Sequence, residues 1–124
     1  MATVLYLGIG TLAGGFCRYF LAGFVYRIFG TTFPYGTLAV NLVGCFIIGF
    51  LSAIAEEKFF LGPNGRLLLM IGFCGAFTTF STFMLETGNL IKDGEISRAF
   101  LNVAVSLIIG FVVFRLGILI GDII

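Results

Sequence analysis

Thr78, Thr79, Ser81 and Thr82 crowd four hydroxyls into one apolar segment, Gly72-Phe-Cys-Gly-Ala-Phe-Thr-Thr-Phe-Ser-Thr-Phe83, just behind two glycines. Glycine is a weak helix former, and Ser and Thr hydroxyls compete for the backbone groups that a helix ladder needs, so the segment predicts a break in whatever helix contains it. Backbone freed in an apolar interior is tolerated only where it is buried in protein or lines a cavity. Its carbonyls can then coordinate a cation, while amides and hydroxyls can face an anion. Phe77, Phe80 and Phe83 recur every third residue through the same stretch. Packing is the ordinary role of such residues. Beside a hydroxyl-rich break a second role opens, because the ring edge carries partial positive charge and can flank a small anion without trapping it.

Two further stripes have helical spacing. Thr37 and Asn41 lie one turn apart, with Gly44 on the next turn and Ser52 further along a similar face; Asn102, Ser106 and Gly110 repeat the pattern near the C-terminus. Each stripe fits interhelical hydrogen bonds or a wet track between packed helices, and the presence of two tips the reading toward a track. Three charges fall inside apolar stretches. Arg115 is close enough to the end of its stretch to snorkel. Arg18 shares a face with Thr11 and Gly15 and fits structural pairing or anion attraction. Glu86 fits the anchoring of a helix or a part in conduction.

The elements that must position these residues are membrane helices. The chain has 124 residues, of which 60% are hydrophobic and 10% charged, against roughly a quarter charged in a soluble domain. About 20 mainly apolar residues cross a bilayer core, and the chain offers that length four times, over 4–26, 37–55, 67–91 and 99–120. Short connections rich in Gly, Pro or charge separate them, so residues 1–124 form one four-helix domain. The runs do not alternate in polarity as barrel strands do. The first stretch has no basic segment before it and reads as a retained helix rather than a secretory signal. Four helices of this size do not readily enclose a selective path alone, so oligomerisation is expected, and Gly10 with Gly14 and Gly117 with Gly121 have the spacing of close helix contacts that would serve it.

Seven basic residues nearly balance six acidic ones, which leaves no basic surface for nucleic acid. The absence of histidine removes the commonest general base and zinc ligand, and with them most enzyme readings. Cys17, Cys45 and Cys74 each stand alone in apolar surroundings and read as small buried packing residues. Orientation is nearly unbiased: Lys58 and Arg66, joined by Arg115 if it snorkels, face one side, against Arg27, Lys92 and Arg98 on the other. Either other signals fix the orientation, or the chain inserts both ways. A small multidrug transporter would place a carboxylate in the first helix, where this chain has Arg18. A mere membrane anchor or assembly subunit would have no need of the polar stripes.

Gly14-Gly15-Phe-Cys-Arg18-Tyr19, Gly36-Thr-Leu-Ala-Val-Asn41-Leu-Val-Gly44 and Gly72-Phe-Cys-Gly75-Ala-Phe-Thr78-Thr-Phe80-Ser-Thr-Phe83-Met-Leu-Glu86 together resemble the Fluc (CrcB-like) fluoride channels. The likeness extends over essentially the whole chain, and the third motif is the most specific. It implies an all-α integral membrane protein whose third helix is broken near its middle. It further implies a dual-topology antiparallel homodimer, with two pores, that passively exports fluoride across a prokaryotic inner membrane. By the same resemblance Phe80 and Phe83 are the paired pore phenylalanines and Asn41 the pore asparagine. A structural sodium ion at the dimer centre would be held by main-chain carbonyls of Gly75 and Thr78. Asn102 and Ser106 form the fourth-helix track, which departs from some relatives in having Gly110 where they carry a hydroxyl. Thr37, Ser81, Thr82 and Glu86 are further pore-lining candidates, with Arg18 anchoring structure or attracting anions near the entrance.

Overall fold

In the computed structural model, which describes residues 1–56 and 61–124, the chain forms four helical spans long and apolar enough to cross a membrane: Ala2–Phe29, Tyr35–Glu56, Pro63–Lys92 and Ile96–Ile123. The ends of the spans extend the sequence-based bounds by a few residues, because turn and charged residues continue each helix into the interface. Lys58, which entered the orientation count, lies outside the described residues.

Glycine supplies the turns where the backbone demands it. Gly30 adopts φ 86° and ends the first span, its amide donating to the Tyr26 carbonyl at 2.8 Å. Gly94 adopts φ 79° in the turn from the third span to the fourth, a conformation costly for residues with a Cβ. There Asp93, Gly94 and Glu95 donate their amides back to Asn89, Ile91 and Leu90. At the other side, Arg66 Nη2 caps the second span by donating to the Ala55 carbonyl at 2.8 Å, a favourable place for a cation by the helix dipole.

The second span is the most enclosed of the four. Its most extensive contact is with the fourth span, and small residues set the distance. A Cβ on Gly49 would lie 2.2 Å from the Phe114 carbonyl oxygen, and one on Gly117 would lie 2.3 Å from that of Phe46. Gly10 and Gly14 do the same for the first span against the third: their added Cβ atoms would meet the Leu68 and Phe73 carbonyl oxygens at 2.1 and 2.2 Å. The glycine pairs expected to serve oligomerisation are therefore used within the chain. Gly121 likewise abuts Ala53 and Phe50.

The third span is two limbs. In the first, a turn at Pro63–Gly65 leads into a π-helix, Arg66–Cys74, and a last α-turn, Gly75–Phe77. The second limb is an α-helix, Phe80–Lys92. Between them Thr78 (φ −93°, ψ 157°) and Thr79 (φ −147°, ψ 119°) are extended, so the break falls inside the hydroxyl cluster. The π-helical winding of the first limb was not legible in its sequence; it coincides with the stretch whose backbone the first span approaches through Gly10 and Gly14. Cysteine placement also differs in part from expectation. Cys74 is buried and Cys45 half-buried, but Cys17 is exposed on the outer face of the first span.

Candidate functional site

The break is held open by Asn41. Its Oδ1 accepts the Thr79 amide at 2.8 Å, and its Nδ2 donates to the Thr79 carbonyl at 3.0 Å. One side chain thus satisfies both main-chain groups of a residue that has left the helix, which an apolar interior requires. Thr79 also starts the second limb, its Oγ1 accepting the Thr82 amide at 3.2 Å, the ordinary work of an N-cap threonine. Thr78 turns back instead, its amide and Oγ1 both donating to the Cys74 carbonyl, at 3.1 and 2.9 Å. Its methyl fills the space over Gly44, where an added Cβ would lie 2.1 Å from Thr78 Cγ2.

These bonds decide which carbonyls are left over. In an unbroken helix the Thr79 amide would go to the Gly75 carbonyl and the Thr82 amide to that of Thr78. Both amides are used elsewhere, so the Gly75 and Thr78 carbonyls lose their helical donors. The neighbouring Ala76 carbonyl instead accepts Arg18 Nε at 3.0 Å. Gly75 is exposed, and a Cβ there would meet nothing within 4 Å. Among the described residues no cluster of carboxylate, thiol or imidazole groups could hold a metal. Main-chain oxygens without helical donors at an open break are of the kind that can coordinate a cation, and Gly75 and Thr78 are the two residues to which the family resemblance would give that part.

Of the three phenylalanines, Phe77 is core, 3% exposed and stacked on Phe73 with centroids 5.5 Å apart. Phe80 and Phe83 lie beyond the break, with centroids 5.9 Å apart and planes inclined at 43°. Phe83 is 7% exposed, whereas Phe80 is 73% exposed and lines an open cavity of about 380 Å³ with Asn41, Gly75, Thr78 and Thr79. The three-residue repeat thus carries two buried rings, one on each side of the break, and one exposed ring, Phe80, at the point where the chain re-enters the helix.

The polar stripe of the second span docks the third. Thr37 Oγ1 donates to Glu86 Oε1, and Tyr26 of the first span donates to Glu86 Oε2 at 2.7 Å. The carboxylate thereby links three spans, with Arg18, Thr37 and Thr82 lining a cavity of about 640 Å³ beside it. Tyr26 stands in the sequence only as the end of the first apolar stretch; a hydroxyl-bearing ring at a helix end is common and carries no signal of its own. Ser81 is exposed on the second limb.

The stripe of the fourth span is split. Asn102, 1% exposed, donates through Nδ2 to Thr87 Oγ1 at 3.0 Å, and Thr87 Oγ1 donates to the Phe83 carbonyl at 2.8 Å. Thr87 is a second residue that sequence reasoning passed over. Ser106 differs: its Oγ is buried and has no hydrogen-bond partner among the described residues. Gly110 is not tightly packed, since an added Cβ would stand 3.7 Å from Cys45 Sγ and 3.9 Å from Leu42 Cδ2.

Residues 5–118 match the family described as CrcB-like protein, Camphor Resistance (CrcB). The chain is 44% identical over 124 residues to a protein of Maridesulfovibrio salexigens, covering 100% of this chain and 98% of that one. It is 46% identical over 118 residues to one of Geotalea daltonii, covering 95% of each. With one of Chlorobaculum tepidum the identity is 53% over 107 residues, covering 86% of this chain and 84% of that one. All three relatives are named fluoride-specific ion channel FluC. With four membrane-spanning helices, a third span broken at its hydroxyl cluster, and a match over nearly its whole length, the chain belongs to the CrcB-like protein family.

Proposed function

We propose that the chain is a passive fluoride channel of the prokaryotic inner membrane, acting as an antiparallel homodimer with two pores. The observation that carries the reading is Ser106: a hydroxyl buried between membrane helices with no partner among the described residues leaves a donor unused where the cost of doing so is high. Fluoride is small and strongly hydrated, so a pore must replace its water with close donors. Ser106, Asn102, Thr82 and Ser81 supply hydroxyl and amide donors, and the edges of Phe80 and Phe83 supply partial positive charge without a formal charge that would hold the ion. Chloride, being larger, is excluded by a narrow track. Undissociated hydrogen fluoride enters across the bilayer and dissociates in a more alkaline cytoplasm, so a leak of the anion down the membrane potential exports it.

Dimerisation is supported by the open side of the break. Phe80 and Gly75 are exposed there, and non-helical backbone at membrane depth has to be covered by protein rather than lipid. The near balance of Arg and Lys across the two sides permits insertion in both orientations and hence an antiparallel pair. The Gly75 and Thr78 carbonyls from both copies would hold a sodium ion, which supplies a fixed positive charge that ties the two breaks together. Asn41 orients the extended Thr79 that shapes this site, and Arg18 steadies the first limb through the Ala76 carbonyl.

The test is anion efflux from liposomes containing the purified protein. Fluoride should leave rapidly and chloride should not, and cysteine tags after Ala55 should react with an impermeant reagent from both faces. Equal efflux of the two anions, or of neither, would overturn the reading.

A further inference from the structure

The geometry points to Tyr26 as a positioning residue that clamps the Glu86 carboxylate in the wall between an outer and an inner cavity of the anion path. The inference rests on the channel reading. Two cavities meet at this point. The outer one, about 510 Å³, is lined by Thr31, Thr32, Asp93 and Arg98, and the inner one, about 640 Å³, by Arg18, Thr79 and Thr82. Among the described residues, Tyr26 and Glu86 line both.

A carboxylate in that position is a hazard to anion flow, because it repels the ion and competes for the donors that the ion needs. Here both of its oxygens are committed. Tyr26 donates to Oε2 at 2.7 Å and Thr37 donates to Oε1. The Tyr26 ring is itself fixed, since it fills the slot left by Gly36, where an added Cβ would come within 2.3 Å of Tyr26 Cε2. Without the tyrosine hydroxyl, Oε2 is free to turn toward the other donors lining the inner cavity, Arg18 and Thr82. Those are the groups that a fluoride ion would use there. The charged groups about Glu86 are Arg18 and Arg27 of the first span, Asp93 and Glu95 of the following turn, and Arg98 of the fourth span; the second span offers only neutral Thr37.

Fluoride efflux from liposomes should be compared for the parent, Tyr26→Phe, Glu86→Ala and the double variant, with Tyr6→Phe, a tyrosine away from both cavities, as control. Tyr26→Phe keeps the ring beneath Gly36 and removes the hydroxyl alone, and it should slow efflux roughly tenfold to a hundredfold, the scale of one hydrogen bond to a charged group. In the Glu86→Ala background the same change should leave the rate within about 1.5-fold, because a residue that acts through Glu86 has nothing left to act on. Parent-like efflux from Tyr26→Phe, or the same loss in both backgrounds, overturns the inference. A second readout does not depend on fluoride. The infrared carboxylate band that disappears in Glu86→Ala should shift in Tyr26→Phe and stay put in Tyr6→Phe. A band unmoved by Tyr26→Phe overturns the clamp even in a conducting protein, whereas a parent that passes no fluoride overturns the channel reading and is recognised separately from the band.

Discussion

The two limbs of the third span are held in place by opposite means. The first, running through the π-helix Arg66–Cys74, is fixed by shape: Gly10 and Gly14 let the backbone of the first span touch its carbonyls, and Gly72 returns the contact, its added Cβ lying 3.0 Å from the Leu7 carbonyl oxygen. The second, Phe80–Lys92 with its N-cap Thr79, is fixed by polarity: Asn41, Tyr26, Thr37 and Asn102 reach it from all three other spans. A contact made by backbone approach tolerates no added atom, whereas one made by hydrogen bonds tolerates changes of size but not of polarity. The limb that borders the proposed path is the one held by groups able to exchange partners with an ion. The other limb is held chiefly by packing, with one long-range hydrogen bond, from Arg18 to the Ala76 carbonyl, near its end.

The sharpest way to break the comparison is to add bulk to the first limb's contact. Gly14→Val places its Cβ against the Phe73 carbonyl, a backbone atom that cannot step aside, and should cost about 3 kcal/mol, the upper end of the usual range for overpacking. Size-exclusion chromatography in detergent should show loss of the folded species. A well-behaved variant would mean that the first limb yields as readily as the second.

Next in size is removal of the polar clasp. Asn41→Leu orphans the Thr79 amide and carbonyl together, a loss of roughly 2–6 kcal/mol at about 1–3 for each group. Fluoride flux should vanish and the thermal midpoint should fall. Asn41→Asp keeps the acceptor for the Thr79 amide and should fall between parent and Leu in stability.

The phenylalanines on either side of the break give the functional form of the contrast. Phe80→Ile and Phe83→Ile remove the ring quadrupole while keeping much of the bulk, and efflux should drop about tenfold or more with the fold intact. Phe77→Ile in the first limb unstacks Phe73 and should instead cost about 1 kcal/mol of stability. Should Phe80→Ile and Phe83→Ile conduct like the parent, the ring edges have no part in permeation.

Smaller effects are expected where a hydrogen bond can be replaced within the membrane. Thr87→Val removes the acceptor of Asn102 and should destabilise by about 0.6 kcal/mol, and by no more than about 1.7, as measured by thermal unfolding in detergent. The smallest change is Gly110→Ser. With its nearest neighbours 3.7 Å or more from the added Cβ, it should fold normally and gain about 0.5 kcal/mol or less from helix propensity. Its failure to fold would show that the fourth span is packed as tightly there as Gly14 is against the third.

Much of this was legible without coordinates. Span number follows from apolar length, because the bilayer fixes how many residues a helix needs. The place of the break follows from Gly75 and the hydroxyls at Thr78 and Thr79, because local competition for backbone hydrogen bonds is written in residue type. What each polar residue does was settled only when the helices met. Asn41 and Asn102 read alike as stripe residues, yet one bonds the main chain of a broken helix and the other a threonine hydroxyl. Ser106, one turn from Asn102, has no partner among the described residues. Phe77 and Phe80 keep the same spacing in sequence but fall on opposite sides of the break, one in the core and one exposed. Gly10 and Gly117 carry no mark of what they touch, and Tyr26 has none of its link to Glu86, sixty residues away. Local preferences depend on neighbours along the chain, so the sequence determined the elements and the break. Hydrogen-bond partners and close contacts depend on neighbours in space, and only the packed helices decided them.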